Sequence, residues 1–268
     1  MFLKSVLPFL VFTKNDKPPA FFLAGDSTTA VQSSNGGGWG NGFLSFLRSP
    51  AWGMNYGHNG ATTVSFVEGG DWARVLSSVW NNAENYSCYV TIQFGHNDQK
   101  PAANISLSQY QANLERMAGE VESAGGTAVL VTPLTRRVFT SLHNATDSLH
   151  DQRLATLAAG TNAEVRVLDL NQASLEYVDA IGNISAQVYD LNGNDTTHLN
   201  AYGSTVFGRM VADLLLGHPP VVTTEDGKGT NPTQRRAGLD GAPADCCLRR
   251  WIKGNESVSY DIWHGLPA

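Results

Sequence analysis

The sequence predicts an α/β protein, built on a parallel sheet with helices on both faces. Three observations carry this expectation. Short apolar, β-branched runs alternate with segments of helical periodicity over the first 216 residues. The clearest of those runs, PAFFLAG and YVTIQFG, end in glycine. With 268 residues, 42% of them hydrophobic and only 16% charged, the chain can also bury one large core.

The elements follow in order. Pro19 to Gly25 is a continuous apolar run, the pattern of a strand buried on both faces. Trp52 to Tyr56 is a weaker strand. Gly70 to Asn85 is predicted helical, since Trp72, Val75, Leu76, Val79 and Trp80 recur at helical spacing. Tyr89 to Gly95 is β-branched and aromatic, a strong strand. Ser106 to Ala124 is a strong helix. Ser106 and Gln109 have capping-box spacing, Leu107, Tyr110, Leu114, Met117 and Val121 form the apolar stripe, and Gly125-Gly126 stops it. Thr127 to Thr132 is the next strand, Asp147 to Ala159 a helix, Val165 to Leu170 a strand and Gln172 to Ile181 a helix. Tyr202 to Leu216 is the last helix of the pattern, with Val206, Phe207, Met210, Val211, Leu214 and Leu215 apolar.

After Gly217 the periodicity stops. Residues 217–245 hold prolines, glycines and Arg235-Arg236 and read as a loop. Trp251, Ile252, Tyr260, Ile262 and Trp263 give the last segment apolar surface to pack back on the domain. The expected organisation is an N-terminal segment over 1–18, a main α/β domain over 19–216 and a loop-rich extension over 217–268.

Charge and composition exclude some classes. With 18 Lys and Arg against 24 Asp and Glu, the net charge is −6, without the basic excess of a nucleic-acid binder. No apolar run reaches the roughly 18 residues of a membrane span. The stretch Ser5 to Phe12 resembles a short secretory signal, but Pro8 interrupts it and no A-x-A site follows. A segment packed on the core is the alternative. Asn-x-Ser/Thr acceptors begin at Asn85, Asn104, Asn144, Asn183, Asn194 and Asn255, and with the N-terminus they favour a secreted, extracellular glycoprotein. The three cysteines, Cys88, Cys246 and Cys247, form no C-x-x-C, so no zinc site is expected. Cys88 has either adjacent cysteine as a partner if the tail folds back, or all three are reduced.

In a parallel sheet every strand's carboxyl end lies on one edge, where open α/β sheets hold their sites. Three motifs fall there. AGDST (Ala24 to Thr28) follows the first strand and exposes the Ser27 hydroxyl beside its own backbone N–H. An Asp-Ser helix cap is the plainer reading. QFGHNDQ (Gln93 to Gln99) follows the strongest strand. Its Asn97 amide is a candidate donor to an oxyanion and His96 a candidate base, against a simple turn. DTTHLNAYG (Asp195 to Gly203) precedes the last helix. Three residues apart on a turn, Asp195 can hold the Nδ1–H of His198 and leave Nε2 free as a base.

Together and in this order, these motifs resemble the SGNH (GDSL-like) hydrolases, and within them the rhamnogalacturonan acetylesterase-like carbohydrate esterases. GDST matches the first block, Gly60 in YGHNGATTVSF the second, GHND the third and DTTH the last, and the likeness covers Phe21 to Leu216. The resemblance implies a three-layer α/β/α sandwich with a flavodoxin-like parallel sheet. It implies Ser27 as nucleophile, His198 as base and then acid, and Asp195 as its orienting carboxylate. The backbone N–H of Ser27, with Gly60 and Asn97, would form the oxyanion hole. No metal or organic cofactor is implied. Family members of this branch often carry arginine and serine after the second-block glycine, where this chain has Ala61-Thr62-Thr63.

The implied substrate is an acetylated plant cell-wall polysaccharide, most of all the rhamnogalacturonan of pectin. A lipid or aryl esterase of the same fold and a non-catalytic carbohydrate-binding protein are the alternatives. Pectin is an anion, so an acidic protein needs local positive groups to hold it. Arg136 and Arg137 are the candidates, with a solvated loop pair as the alternative. Trp39 in GGGWG is either a sugar-stacking platform or a residue packed against its glycines. The chain is expected to act as a monomer.

Overall fold

The computed structural model describes residues 17–217 and 248–268. The apolar stretch Ser5 to Phe12, the loop with Arg235-Arg236, and both Cys246 and Cys247 lie outside these residues. Cys88 is a free thiol, buried in a strand, and burial pushes its pKa up.

The strands are β1 (Pro19–Gly25), β2 (Trp52–Asn55), β3 (Ser87–Gln93), β4 (Thr127–Val131), β5 (Phe139–Ser141), β6 (Asn144–Ala145) and β7 (Arg166–Leu168). Five of them form a wholly parallel sheet in the order β2-β1-β3-β4-β7, and β5 and β6 pair as a separate hairpin. This is the flavodoxin-like order, with its topological switch between β1 and β3. Register sets Gly25 opposite Gln93. The turns that leave these two strands therefore start side by side.

The helices are α1 (Gly40–Ser45), α2 (Thr63–Glu68), α3 (Asp71–Asn82), α4 (Leu107–Ser123), α5 (His150–Asn162), α6 (Leu170–Ala186), α7 (Ala201–Leu215) and α8 (Glu256–Trp263). Strand alternation divides the core in two. Phe21 and Leu23 face α1, α6 and α7, packing with Phe43, Tyr177 and Phe207. Ala20, Phe22 and Ala24 face α2 to α5, with Phe66, Val75, Leu114 and Ala159. Full burial of such a phenylalanine or leucine stabilises by about 1.5–3 kcal/mol.

Several elements differ from the sequence expectation, for physical reasons. Helix α1 contains two glycines, which read as turn residues. Here they permit close packing: a Cβ on Gly42 would lie 1.8 Å from the Ser204 carbonyl oxygen of α7. Helix α2 is too short for a periodicity, and a reciprocal capping box between Thr62 and Ser65 starts it. Helix α6 begins earlier than expected because Asp169 caps it, and extends through a kink at Gly182 (φ +77°). In α3, Trp72, Val75 and Val79 are buried, whereas Trp80 is exposed.

Residues 248–268 pack against α1 and α7. Leu47 bridges to Ile252, and Trp251 packs against the same core. The Trp263 indole donates to Asp213 at 2.9 Å. Asp213 is paired with buried Arg209, whose guanidinium also donates to the Lys253 carbonyl at 2.6 Å.

Candidate active site

The turn after β1 is held by its own carboxylate. Asp26 Oδ1 accepts the backbone N–H of Thr28 at 2.8 Å and its hydroxyl at 2.7 Å. The next three residues curl so that Thr29 and Ala30 both donate to the Asp26 carbonyl. Ser27 sits at the crest, 5% exposed, with Oγ 2.8 Å from His198 Nε2.

The glycine-rich loop clamps this turn from outside. Gly37 N–H donates to the Ser27 carbonyl at 3.2 Å, and Trp39 N–H to that of Thr28 at 3.0 Å. A Cβ on Gly38 would lie 1.9 Å from the Thr28 carbonyl oxygen, so only glycine admits the approach. Trp39 is fully buried, and its indole N–H donates at 2.8 Å to Gln93 Oε1, which also accepts the Thr29 hydroxyl at 3.1 Å. Trp39 is therefore no platform for a sugar. It packs on Phe43 and braces the serine turn through Gln93.

The Asp195–His198 turn supplies the other half. Asp195 Oδ2 is 2.8 Å from His198 Nδ1, and Oδ1 accepts the backbone N–H groups of His198 at 3.0 Å and Thr197 at 3.2 Å. Burial pushes the Asp195 pKa up, but these N–H donors and the imidazole outweigh it and hold the carboxyl below its usual range. An ionised Asp195 keeps the imidazole proton on Nδ1, so the Nε2 lone pair faces Ser27.

Arg137 has a different place from the one its sequence position suggested. It is 1% exposed, ion-paired with Asp190 and hydrogen-bonded through Nη2 to the His198 carbonyl at 2.7 Å. No face remains for a substrate carboxylate. Arg136 is half-exposed, with Nη1 donating to Ser148 at 2.9 Å, close enough to Asp26 and His96 to influence their charge.

The third motif clips onto the second. Asn97 Nδ2 donates to the Ala61 carbonyl at 3.0 Å, and Lys100 Nζ donates to Asn97 Oδ1 at 2.6 Å. These bonds fix which way the amide points and leave one N–H of Nδ2 uncommitted. Asp98 Oδ1 accepts the Thr63 N–H at 2.8 Å and hydroxyl at 2.6 Å. Gly60 lies between these anchors at φ +79°, a left-handed conformation. His58 N–H ties the same loop to the Gly25 carbonyl at 2.9 Å. Among the described residues, neither the Ser27 nor the Gly60 backbone N–H meets a hydrogen-bond acceptor. A cavity of about 140 Å³ opens beside Gly60, lined by His58, Asn59, Ala61 and Ser65.

His96, the rival base, is not at the serine. It is 3% exposed, and its Nδ1 faces Asp26 Oδ2 at 3.6 Å. Burial lowers its pKa, and the neighbouring Arg136 and His198 charges add to that against the opposing Asp26. Sequence spacing offered it no carboxylate. The β1–β3 register supplies one from a distant motif.

A family profile described as GDSL-like Lipase/Acylhydrolase matches residues 21–211. The chain belongs to this family. As a GDSL-like hydrolase it joins a group of carboxylic ester hydrolases. It is 28% identical over 212 residues to rhamnogalacturonan acetylesterase RhgT of Bacillus subtilis (strain 168), covering 74% of this chain and 89% of that one. It is 26% identical over 200 residues to the probable rhamnogalacturonan acetylesterase YesY of the same strain, covering 71% and 89%. The GDSL-like fold recurs in the solved structure of the protein YXIM from Bacillus subtilis, with TM-score 0.65 and 23% identity. That match spans 74% of this chain and 56% of the other. It recurs also in the acetylxylan esterase Axe2 from Geobacillus stearothermophilus, with TM-score 0.52, 17% identity, and 75% and 93% covered.

Proposed function

We propose that this GDSL-like hydrolase is a serine acetylesterase acting on an acetylated polysaccharide, the rhamnogalacturonan of pectin, with Ser27, His198 and Asp195 as its triad. The carrying observation is the unbroken hydrogen-bonded chain from Ser27 Oγ through the imidazole to Asp195, with 2.8 Å at each end. A serine hydroxyl is a weak nucleophile near neutral pH and needs a base to take its proton. His198 Nε2 takes it as Oγ attacks the ester carbonyl carbon. The carbonyl oxygen becomes an oxyanion, met by the Ser27 and Gly60 backbone N–H groups and the free N–H of Asn97. Each such donor is worth roughly 3–4 kcal/mol of barrier.

His198 then passes the proton to the departing sugar hydroxyl, leaving acetyl on Ser27. Water attacks that ester, giving its proton to His198, and acetate leaves as Oγ regains it. Ionised Asp195 stabilises the imidazolium in both halves.

The polysaccharide reading is supported by the names of the two curated relatives. Of the two arginine candidates, Arg136 is the one left partly exposed for a uronate carboxylate. Exposed sequon asparagines at 85, 104, 144 and 194 support a secreted glycoprotein. The test is acetate release from acetylated rhamnogalacturonan, acetylated xylan and p-nitrophenyl esters of increasing chain length, in parallel. Fastest turnover on rhamnogalacturonan is expected. Long-chain esters cleaved as fast as acetyl esters would make it a lipid or aryl esterase. No turnover of any ester would leave only carbohydrate binding.

A further inference from the structure

The His198 carbonyl is held from two sides inside the protein. Arg137 Nη2 donates to it at 2.7 Å, and Leu191 N–H donates to it at 2.9 Å. Arg137 also donates its backbone N–H to the Thr196 carbonyl at 2.9 Å, two residues earlier on the same turn. Its Nε is ion-paired with Asp190, which neighbours Leu191 and bridges to Leu199, the residue after the imidazole. One side chain and its backbone thus grip the Asp195–His198 turn at both flanks. The grip comes from the loop after β4, which is fixed to the sheet.

We infer that Arg137 is a positioning residue for the triad: its buried guanidinium, shared between Asp190 and the His198 carbonyl, sets where the imidazole stands relative to Ser27. The inference rests on His198 being the base. Three features argue for this over a generic core ion pair. The pair is buried, with Arg137 at 1% and Asp190 at 5% exposure, so taking both charges out of water is costly. A well-packed apolar pair would hold a loop as firmly without that cost. The planar guanidinium divides two donors between Asp190 (Nε) and the backbone carbonyl of His198 (Nη2), and a flexible ammonium cannot reproduce that geometry. Finally, the Asp195–His198 turn is itself half-exposed, so its accuracy must come from anchors behind it. A displacement near 1 Å at a reacting group can cost roughly 10²-fold in rate.

The experiment compares Arg137→Lys with the parent on p-nitrophenyl acetate, which needs no sugar contacts. Active sites are counted by titration with a fluorophosphonate, so misfolded protein does not enter kcat. The far-downfield Nδ1 proton of His198 is followed by NMR, and thermal unfolding is recorded alongside. A positioning role gives a kcat per titrated site lowered by roughly 10- to 100-fold, KM within twofold, and a weakened or lost downfield signal. Should Arg137→Lys fail to fold, Asp190→Asn keeps an acceptor for the guanidinium while slackening it, and the same readouts are expected to move at least threefold. A kcat per site within twofold of the parent, even with lower Tm, would make the pair merely structural and overturn the inference. So would a rise in KM at unchanged kcat. His198→Ala is the control: if it retains activity, the triad reading fails first; if it is inactive while Arg137→Lys is not, only the positioning role falls.

Discussion

Leu199 N–H donates to the Gly37 carbonyl at 2.7 Å. Gly37 in turn donates to the Ser27 carbonyl, so a single residue couples the serine turn to the histidine turn. Nothing larger fits: a Cβ on Gly37 would lie 2.4 Å from the Leu199 carbonyl oxygen. Gly37→Ala is therefore expected to separate the two turns. It should destabilise the protein by about 1–3 kcal/mol and lower kcat by roughly tenfold or more, with KM little changed. Paired thermal melts and kinetics check this, and an unchanged kcat would mean the turns are held independently.

Trp39 allows a cleaner separation of roles. Trp39→Phe keeps the apolar ring and removes the indole N–H from Gln93, leaving that oxygen with fewer donors. A loss of about 1–2 kcal/mol in stability is expected, with KM for polysaccharide unaltered. A large KM increase on polysaccharide alone would restore a sugar contact.

On the proposed oxyanion role, Asn97→Ala is expected to lower kcat by roughly 10²–10³, the effect of removing a donor that acts chiefly in the transition state. The same amide holds the Ala61 carbonyl, so Asn97→Ala should also speed hydrogen exchange in the Gly60 loop. A pure KM effect would make Asn97 a substrate-binding residue.

The pH dependence follows from two carboxyl and imidazole environments. Asp195 has its folded pKa below its unfolded value of about 3.9. Its stabilisation is present above that value and fades as pH falls through the folded one. It is thus ionised above that value, and a single proton lost from the base at Ser27 is expected to give the acid limb of kcat/KM a slope of one. Asp195→Asn should lose about 10⁴-fold in kcat by permitting the wrong tautomer. An acid limb with a slope of two would require a second titrating group.

Stability should carry a separate acid dependence, from His96. Its pKa is lowered by burial, so the unfolded chain takes up a proton that the folded one resists. Stability therefore rises with pH through about 6.5, and Tm should fall on acidification below it. His96→Asn is expected to flatten that part of the Tm–pH curve while leaving the acid limb of the rate in place. If the rate limb moves instead, His96 is the base.

The sheet and the hydrogen-bonded arrangement of Ser27, His198 and Asp195 were legible because their signals are local. Continuous apolar runs mark β1 and β3, and a parallel sheet sends each following turn to one edge. Ser27, Asn97 and His198 could therefore be placed together without any contact being known. What was not legible depends on which side of a turn faces inward. Arg136 and Arg137 are adjacent and chemically identical, yet only one is buried. The tertiary position of Asp190 decides which, and no spacing reveals it. For Trp39 the sequence offered both a sugar platform and packing against its glycines, and only the close backbone approach those glycines permit decides for packing. The His96–Asp26 contact arises from pairing between strands far apart in sequence.

The return of residues 248–268 adds packed core beyond the family match, which ends at residue 211. Asp213 and Arg209 are buried beneath Trp263 and the Lys253 carbonyl. A protein cut after Leu216 would expose a cold apolar groove and strip two partners from that ion pair. Supplied as a separate peptide, residues 248–268 should rebind the cut protein and restore its melting temperature, because the seat is lined by Phe46, Leu47 and α7. Such rebinding would make the segment a separable wedge of the core, and fragment complementation measures how much of the fold's stability it carries.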